Sequence, residues 1–200
     1  MHEPLVHASY ATPFGELNVF ATADGVVRAS GFRGVGEIAS QLALHWRGRG
    51  WVDGALPTVA AAVTSWLEGD GKALESVPVE QDGGPFYQKV WETLRHVPAG
   101  EPLSYKELAE AAGSPRAMRA VGTACSHNAV APFVPCHRVV SAGGRLGSYG
   151  YGGASIKAAM LTLEAGGDSA QIERAAATAH PGALAPARAV SPAKPMQGVR

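Results

Sequence analysis

A thiol and an imidazole stand side by side in Val134-Pro135-Cys136-His137-Arg138-Val139-Val140, between a proline and a β-branched run. The thiolate is the reactive form of cysteine and a free thiol titrates near about 8.5, so a neighbour that accepts its proton makes it a nucleophile. His137 is the nearest such neighbour. On an extended segment adjacent side chains point to opposite faces, so a water between Cys136 and His137 fits as well as direct contact. The same dipeptide also describes a structural cysteine buried next to a surface histidine, the commoner arrangement for this residue type. A Cys–His pair further suits a hydrolase, which would need an oxyanion hole and would turn over repeatedly.

The chain that must position this pair has 200 residues, 46% of them hydrophobic, enough for one domain or two small ones. Lys plus Arg and Asp plus Glu number 17 each. No global positive field advertises nucleic acid, so any such contact depends on a local patch. The two cysteines, Cys125 and Cys136, are too few for a secreted disulfide framework and suit a reducing cytoplasm. Met1-His2-Glu3-Pro4 does not open a basic-then-apolar leader, and no apolar run reaches the ~18 residues of a membrane span. A soluble intracellular protein with no membrane partner is expected.

Residues 5–31 alternate in polarity, with turns at Pro13-Phe14-Gly15 and Asp24-Gly25, which predicts a three-stranded antiparallel meander. Helical spacing over 36–46 and 57–67 predicts two helices covering it, and 73–79 reads as a short returning strand. Asp82-Gly83-Gly84-Pro85 marks a boundary between an N-terminal α/β domain, 1–82, and a C-terminal domain, 83–166. In the latter, Phe86, Val90, Trp91, Leu94 and Val97 form one apolar stripe. Ser104 and Glu107 have the spacing of a capping box opening a helix, and a second helix is expected over 116–125. Two short helices around Gly113-Ser114-Pro115 suggest a helix-turn-helix whose second member lies against DNA, although many such pairs are purely structural. Small residues Ala117, Ala120, Gly122 and Ala124 permit close approach to a nucleic-acid backbone or tight helix packing. The Gly-rich segment 141–153 is read as a flexible pocket wall, and a last helix over 156–163 delivers Glu164. Residues 167–200 form an Ala/Pro-rich tail, read as mostly disordered with at most a frayed helix over 170–178. The fold class is α+β.

Pro135-Cys136-His137-Arg138-Val139-Val140, with Arg119-Ala120-Val121-Gly122 and Asn128 before it, strongly resembles the 6-O-alkylguanine-DNA alkyltransferases, also called methylated-DNA-protein-cysteine methyltransferases. Thr12-Pro13-Phe14-Gly15 and Ser104-Tyr105 extend the likeness over residues 5–165. The resemblance implies a ribonuclease-H-like N-terminal domain and a winged-helix-like C-terminal one. It implies DNA repair by irreversible, stoichiometric transfer of a methyl or other alkyl group from the 6-oxygen of guanine, with the 4-oxygen of thymine as a second substrate, to Cys136. By the same likeness His137 falls on a water-bridged base, Glu164 on the carboxylate orienting it, and Asn128 on the residue organising the active-site backbone. Tyr105 falls on the tyrosine that faces the target base. Arg119 falls on the finger replacing the extruded base, with Ser104, Ala117, Met118 and Gly122 as further DNA contacts. Val139, Ser148, Tyr149 and Gly150 fall on the pocket wall. The loop departs in length from the family, so Tyr149 and Tyr151 compete for one role. Cys125 matches no acceptor position and is read as packing. No cofactor and no metal are expected, since the N-terminal half lacks cysteine and His2, His7 and His45 lack ligand spacing. The implied partner is double-stranded DNA carrying alkylated guanine, bound by a monomer, with cooperativity left open. A DNA-binding regulator in which methylation of Cys136 is incidental remains the alternative.

Overall fold

The computed structural model describes residues 3–180 and Ala183. Met1, His2 and most of the Ala/Pro-rich tail, 181–182 and 184–200, lie outside the described residues.

The meander forms as expected from β1 (Leu5–Thr12), β2 (Gly15–Ala21) and β3 (Val27–Gly31). Gly25 turns the second hairpin at φ 88°, a conformation that favours glycine. The expected three strands are corrected to four, because β4 (Trp51–Asp53) pairs in parallel with β1 in the order β3-β2-β1-β4. Three exposed residues on an edge carry too short an alternation to be read as a strand. The single helix over 36–46 is instead two short ones, α1 (Val35–Ala39) and α2 (Leu44–Arg47). Ile38 and Leu42 pack with Leu5, Phe20 and Ala29 on one sheet face. Val19, Ala21 and Val27 face the other way, onto Val59, Val63 and Trp66 of α3 (Pro57–Leu67), as the period of two in a strand requires. The strand expected over 73–79 is a 3₁₀ turn, Ala73–Ser76, after which Val79 makes one parallel bridge to Val27.

In α4 (Pro85–Arg95) the predicted stripe is realised by buried Val90, Trp91 and Leu94. The capping box is present: Ser104 Oγ accepts from the Glu107 amide at 3.2 Å while Glu107 Oε2 accepts from the Ser104 amide at 2.7 Å. It opens α5 (Tyr105–Ala111), followed by α6 (Met118–Ser126). A two-residue parallel pair joins β5 (Leu103–Ser104) to β6 (Val139–Val140), fixing the start of α5 beside the Cys136 stretch. The chain ends its described part with α7 (Gly153–Glu164) and α8 (Ser169–Thr178). Where the composition suggests at most a frayed helix, α8 has an Asp168–Gln171 capping box with both bonds at 2.8 Å, and it buries Ile172.

The halves share one core. A continuous apolar cluster runs from Leu17, Val19 and Trp66 through Trp91 and Val121 to Cys136 and Met160. Ser30 of β3 adds two hydrogen bonds across the junction, its amide to Ala129 O and its hydroxyl to Ala131 O, both 2.8 Å. Among the described residues no helix is long and apolar enough to cross a membrane.

Candidate active site

Cys136, His137 and Arg138 occupy one turn of 3₁₀ helix, not the extended segment that the β-branched run suggests. The turn sends the three side chains to different partners, all inside the protein. Cys136 is 5% exposed and sits in the core cluster. Its sulfur accepts a hydrogen bond from Asn128 Nδ2 at 3.1 Å.

Asn128, fully buried after the end of α6, uses its whole amide. Nδ2 also donates to Val134 O at 2.8 Å, while Oδ1 accepts from Gln81 Nε2 at 3.1 Å and the Val130 amide at 3.2 Å. Reversing the amide would set donors against donors, so its N–H is committed to the sulfur. Gln81 in turn accepts from the Ala129 amide at 2.6 Å. Burial pushes the Cys136 thiol up, opposed by the Asn128 donor, the Lys157 charge and the Tyr149 hydroxyl. Burial wins, so the resting group is a thiol that must lose its proton when it reacts.

His137 is fully buried and donates from Nε2 to Glu164 Oε1 at 3.1 Å. Its Nδ1 is buried without a protein partner. Burial lowers the His137 pKa, and Arg138 and Lys157 lower it further against the pull of Glu164. A neutral imidazole with its hydrogen on Nε2 keeps a lone pair on Nδ1, which is what a general base needs. No hydrogen bond joins His137 to Cys136 among the described residues. Glu164, at the end of α7, is held to about 2: burial pushes it up, but His137 and Arg138 pull it further down. Arg138 grips both its oxygens, Nε to Oε2 at 3.0 Å and Nη2 to Oε1 at 2.8 Å, and also donates to Val97 O and Gly71 O. Gly100 lets the chain pass close to the end of α7. It has φ +76°, and a Cβ there would lie 2.7 Å from the Glu164 carbonyl oxygen.

The remaining predicted residues surround this relay in two groups. Tyr105, half-buried at the start of α5, has its hydroxyl pushed up to about 12 by burial and by both thiols. A Cβ on Gly122 would meet the Tyr105 ring at 3.8 Å, and one on Gly147 would meet its hydroxyl at 3.8 Å, so the ring bridges α6 and the glycine loop. Val139 is buried and accepts from buried Lys157 Nζ through its carbonyl. Tyr149 and Tyr151 are both buried, their rings edge-to-face at 5.3 Å. The Tyr149 hydroxyl is buried without a hydrogen-bond partner among the described residues, and its proximity pulls the Cys136 thiol down against burial. Tyr151 instead fits against Gly31 of β3, where a Cβ would come within 3.0 Å of its ring. The loop read as a flexible wall thus buries Leu146, Tyr149 and Tyr151, leaving Ser148 and Gly150 exposed. Arg119 and Met118 project from the first turn of α6 into solvent, with Ala117 and Gly122 partly covered and Ser104 half-buried as the cap of α5. They lie on the surface of the helix pair, apart from the buried relay. Cys125 packs in the core.

Three contributors escaped the sequence reading. Trp66 donates from Nε1 to Glu164 Oε1 at 3.1 Å across 98 positions of chain. Gln81 and Gly100 also act through contacts remote in sequence, and no local pattern marks any of the three.

Residues 85–166 match the model of the 6-O-methylguanine DNA methyltransferase, DNA binding domain. The chain is 42% identical to the constitutive methylated-DNA--protein-cysteine methyltransferase of Bacillus subtilis over 111 residues, 54% of this chain and 67% of that one. It is 49% identical to the methylated-DNA--protein-cysteine methyltransferase of Mycobacterium tuberculosis over 88 residues, 44% of this chain and 53% of that one. The crystal structure of Mycobacterium tuberculosis OGT in complex with DNA superimposes with a TM-score of 0.66 at 31% identity, covering 84% of this chain and 98% of that one.

Proposed function

The chain belongs to the 6-O-methylguanine DNA methyltransferase family, and from that premise we propose that it repairs duplex DNA by moving an alkyl group from the 6-oxygen of guanine onto Cys136, once per molecule. The observation that carries this reading is the Asn128 N–H held 3.1 Å from the Cys136 sulfur. It lies inside the segment matching the family's DNA-binding domain.

The target atom is out of reach within a duplex, so the nucleotide is flipped out, at a cost of a few kcal/mol that is smaller for a damaged pair. Arg119, at the exposed start of α6, fills the vacated stack, while Ser104, Ala117, Met118 and Gly122 follow the backbone. The base enters between Tyr105, Val139 and the 148–150 loop. The Cys136 proton passes through a water to His137 Nδ1, and Glu164 stabilises the resulting imidazolium. Sulfur then attacks the alkyl carbon, the carbon–oxygen bond breaks, and its electron pair leaves on guanine, which Tyr105 helps to protonate. A thioether is a poor leaving group, so the acceptor is spent. The 4-oxygen of thymine offers the same chemistry.

In this reading 1–82 is a ribonuclease-H-like domain and 83–166 a winged-helix-like one, and the protein works as a cytoplasmic monomer without metal or cofactor. Cys136→Ser tests it: duplex carrying 6-O-methylguanine should still be bound while transfer is abolished. Methyl transfer that persists in Cys136→Ser would refute the assignment.

A further inference from the structure

Glu164 is gripped from both halves of the chain. Its Oε1 accepts from three donors: His137 Nε2 at 3.1 Å, Arg138 Nη2 at 2.8 Å and Trp66 Nε1 at 3.1 Å. Trp66 belongs to α3 and is fully buried, flanked edge-on by Phe14 at 5.7 Å. Just beyond α3, Gly71 O takes a hydrogen bond from Arg138 Nη2 at 3.3 Å. A Cβ at Gly71 would lie 2.3 Å from that of Ala99, so this close approach excludes a side chain. The first half of the chain therefore supplies one donor to the carboxylate and one acceptor to the arginine that clamps it.

We propose that Trp66 is a positioning residue for alkyl transfer: its indole N–H fixes Glu164 Oε1 against His137 Nε2, so that α3 sets the geometry of the proton relay. The inference rests on the alkyl-transfer reading given above. Without that donor, Oε1 is shared only between His137 Nε2 and the charged Arg138 Nη2, and a carboxylate drawn further toward the guanidinium loosens its hold on the imidazole. The basicity of Nδ1 then falls, and deprotonation of Cys136 requires higher pH. The groups that set this titration are Glu164, Arg138 and Lys157 around His137, and Asn128, Lys157 and Tyr149 around Cys136.

The test measures transfer from a free 6-O-alkylguanine base against pH for the wild-type chain, Trp66→Phe and Phe14→Leu. Trp66→Phe removes the N–H and keeps an aromatic ring; Phe14→Leu loosens the same packing while keeping the N–H. Trp66→Phe should slow transfer at neutral pH by about tenfold, the scale of a lost hydrogen bond to a charged group, and move the profile to higher pH. Phe14→Leu should lower Tm and leave the profile in place. An unchanged profile in Trp66→Phe, or an equal shift in Phe14→Leu, overturns the inference. Should Trp66→Phe not fold, the wild-type indole N–H resonances decide. That of Trp66 should titrate with the midpoint of Cys136 alkylation while those of Trp46 and Trp51 stay still, and a Trp66 resonance that does not move overturns the inference. A wild-type protein that transfers nothing overturns the underlying reading, and this inference with it.

Discussion

Asn128 shows how much chemistry one side chain carries. Its amide ties Gln81, Val130, Val134 and the Cys136 sulfur into one buried network. Asn128→Ala strands those partners and removes the donor that supports the thiolate. A hydrogen bond to charge is worth about 1.5–3 kcal/mol, so transfer should slow by about 10- to 100-fold, checked with a free alkylguanine base so that DNA binding does not enter. Glu164 makes the matching point for stability. Its folded pKa, about 2 against an ordinary 4.5, is depressed, so it contributes stability above pH 4.5 that is lost as pH falls toward 2. His137 also has a lowered pKa and is neutral when folded. The unfolded chain therefore takes up that proton first, and stability begins to fall as pH drops through 6.5, the ordinary histidine value. Denaturant unfolding at a series of pH values should show both losses. Glu164→Gln should cost about 3–5 kcal/mol at neutral pH by leaving the Arg138 charge buried without its carboxylate.

At the scale of elements, the site depends on how α7 ends and how α5 begins. Gly100 at φ +76° passes 2.7 Å, measured from a notional Cβ, from the Glu164 carbonyl oxygen. Gly100→Ala combines a left-handed conformation costing about 1–2 kcal/mol with a clash against that backbone. It should therefore reduce transfer by more than its loss of Tm accounts for, whereas transfer that follows stability alone would refute the placement. Elements with local grammar were legible. Ser104 and Glu107 announce α5, the apolar stripe announces α4, and Pro57 opens α3. The rest lacked a local signal. The three exposed residues of β4 have no alternation to show, and 36–46 keeps helical spacing across the break between α1 and α2 because Ile38 in α1 and Leu42 between the two helices pack into the same apolar cluster. Ala-rich α8 was masked by the prolines beyond it, although Asp168 and Gln171 spell its capping box.

Over the whole molecule, in the proposed function one half presents the residues that meet DNA and the other helps to hold Glu164 and Arg138. Arg119 is exposed on α6 while Cys136 is buried in the shared core, so binding and chemistry are separable. Arg119→Ala should weaken repair of a lesion in duplex much more than transfer from a free alkylguanine base, and equal losses would show that Arg119 has no part in flipping. The proposed acceptor, base and carboxylate came from the family resemblance that contiguous Cys136, His137 and Arg138 carry, and Glu164 at the end of α7 does meet His137 and Arg138. The Trp66 contact was not legible, since it joins residues 98 apart, a separation at which spacing carries no information. Single use of Cys136 is tested most directly by mass spectrometry of the protein after incubation with excess duplex bearing 6-O-methylguanine. One methyl per molecule, on the peptide containing Cys136, with repair ceasing at that stoichiometry, is expected; continued turnover, or a Cys136 peptide without a methyl, would contradict it.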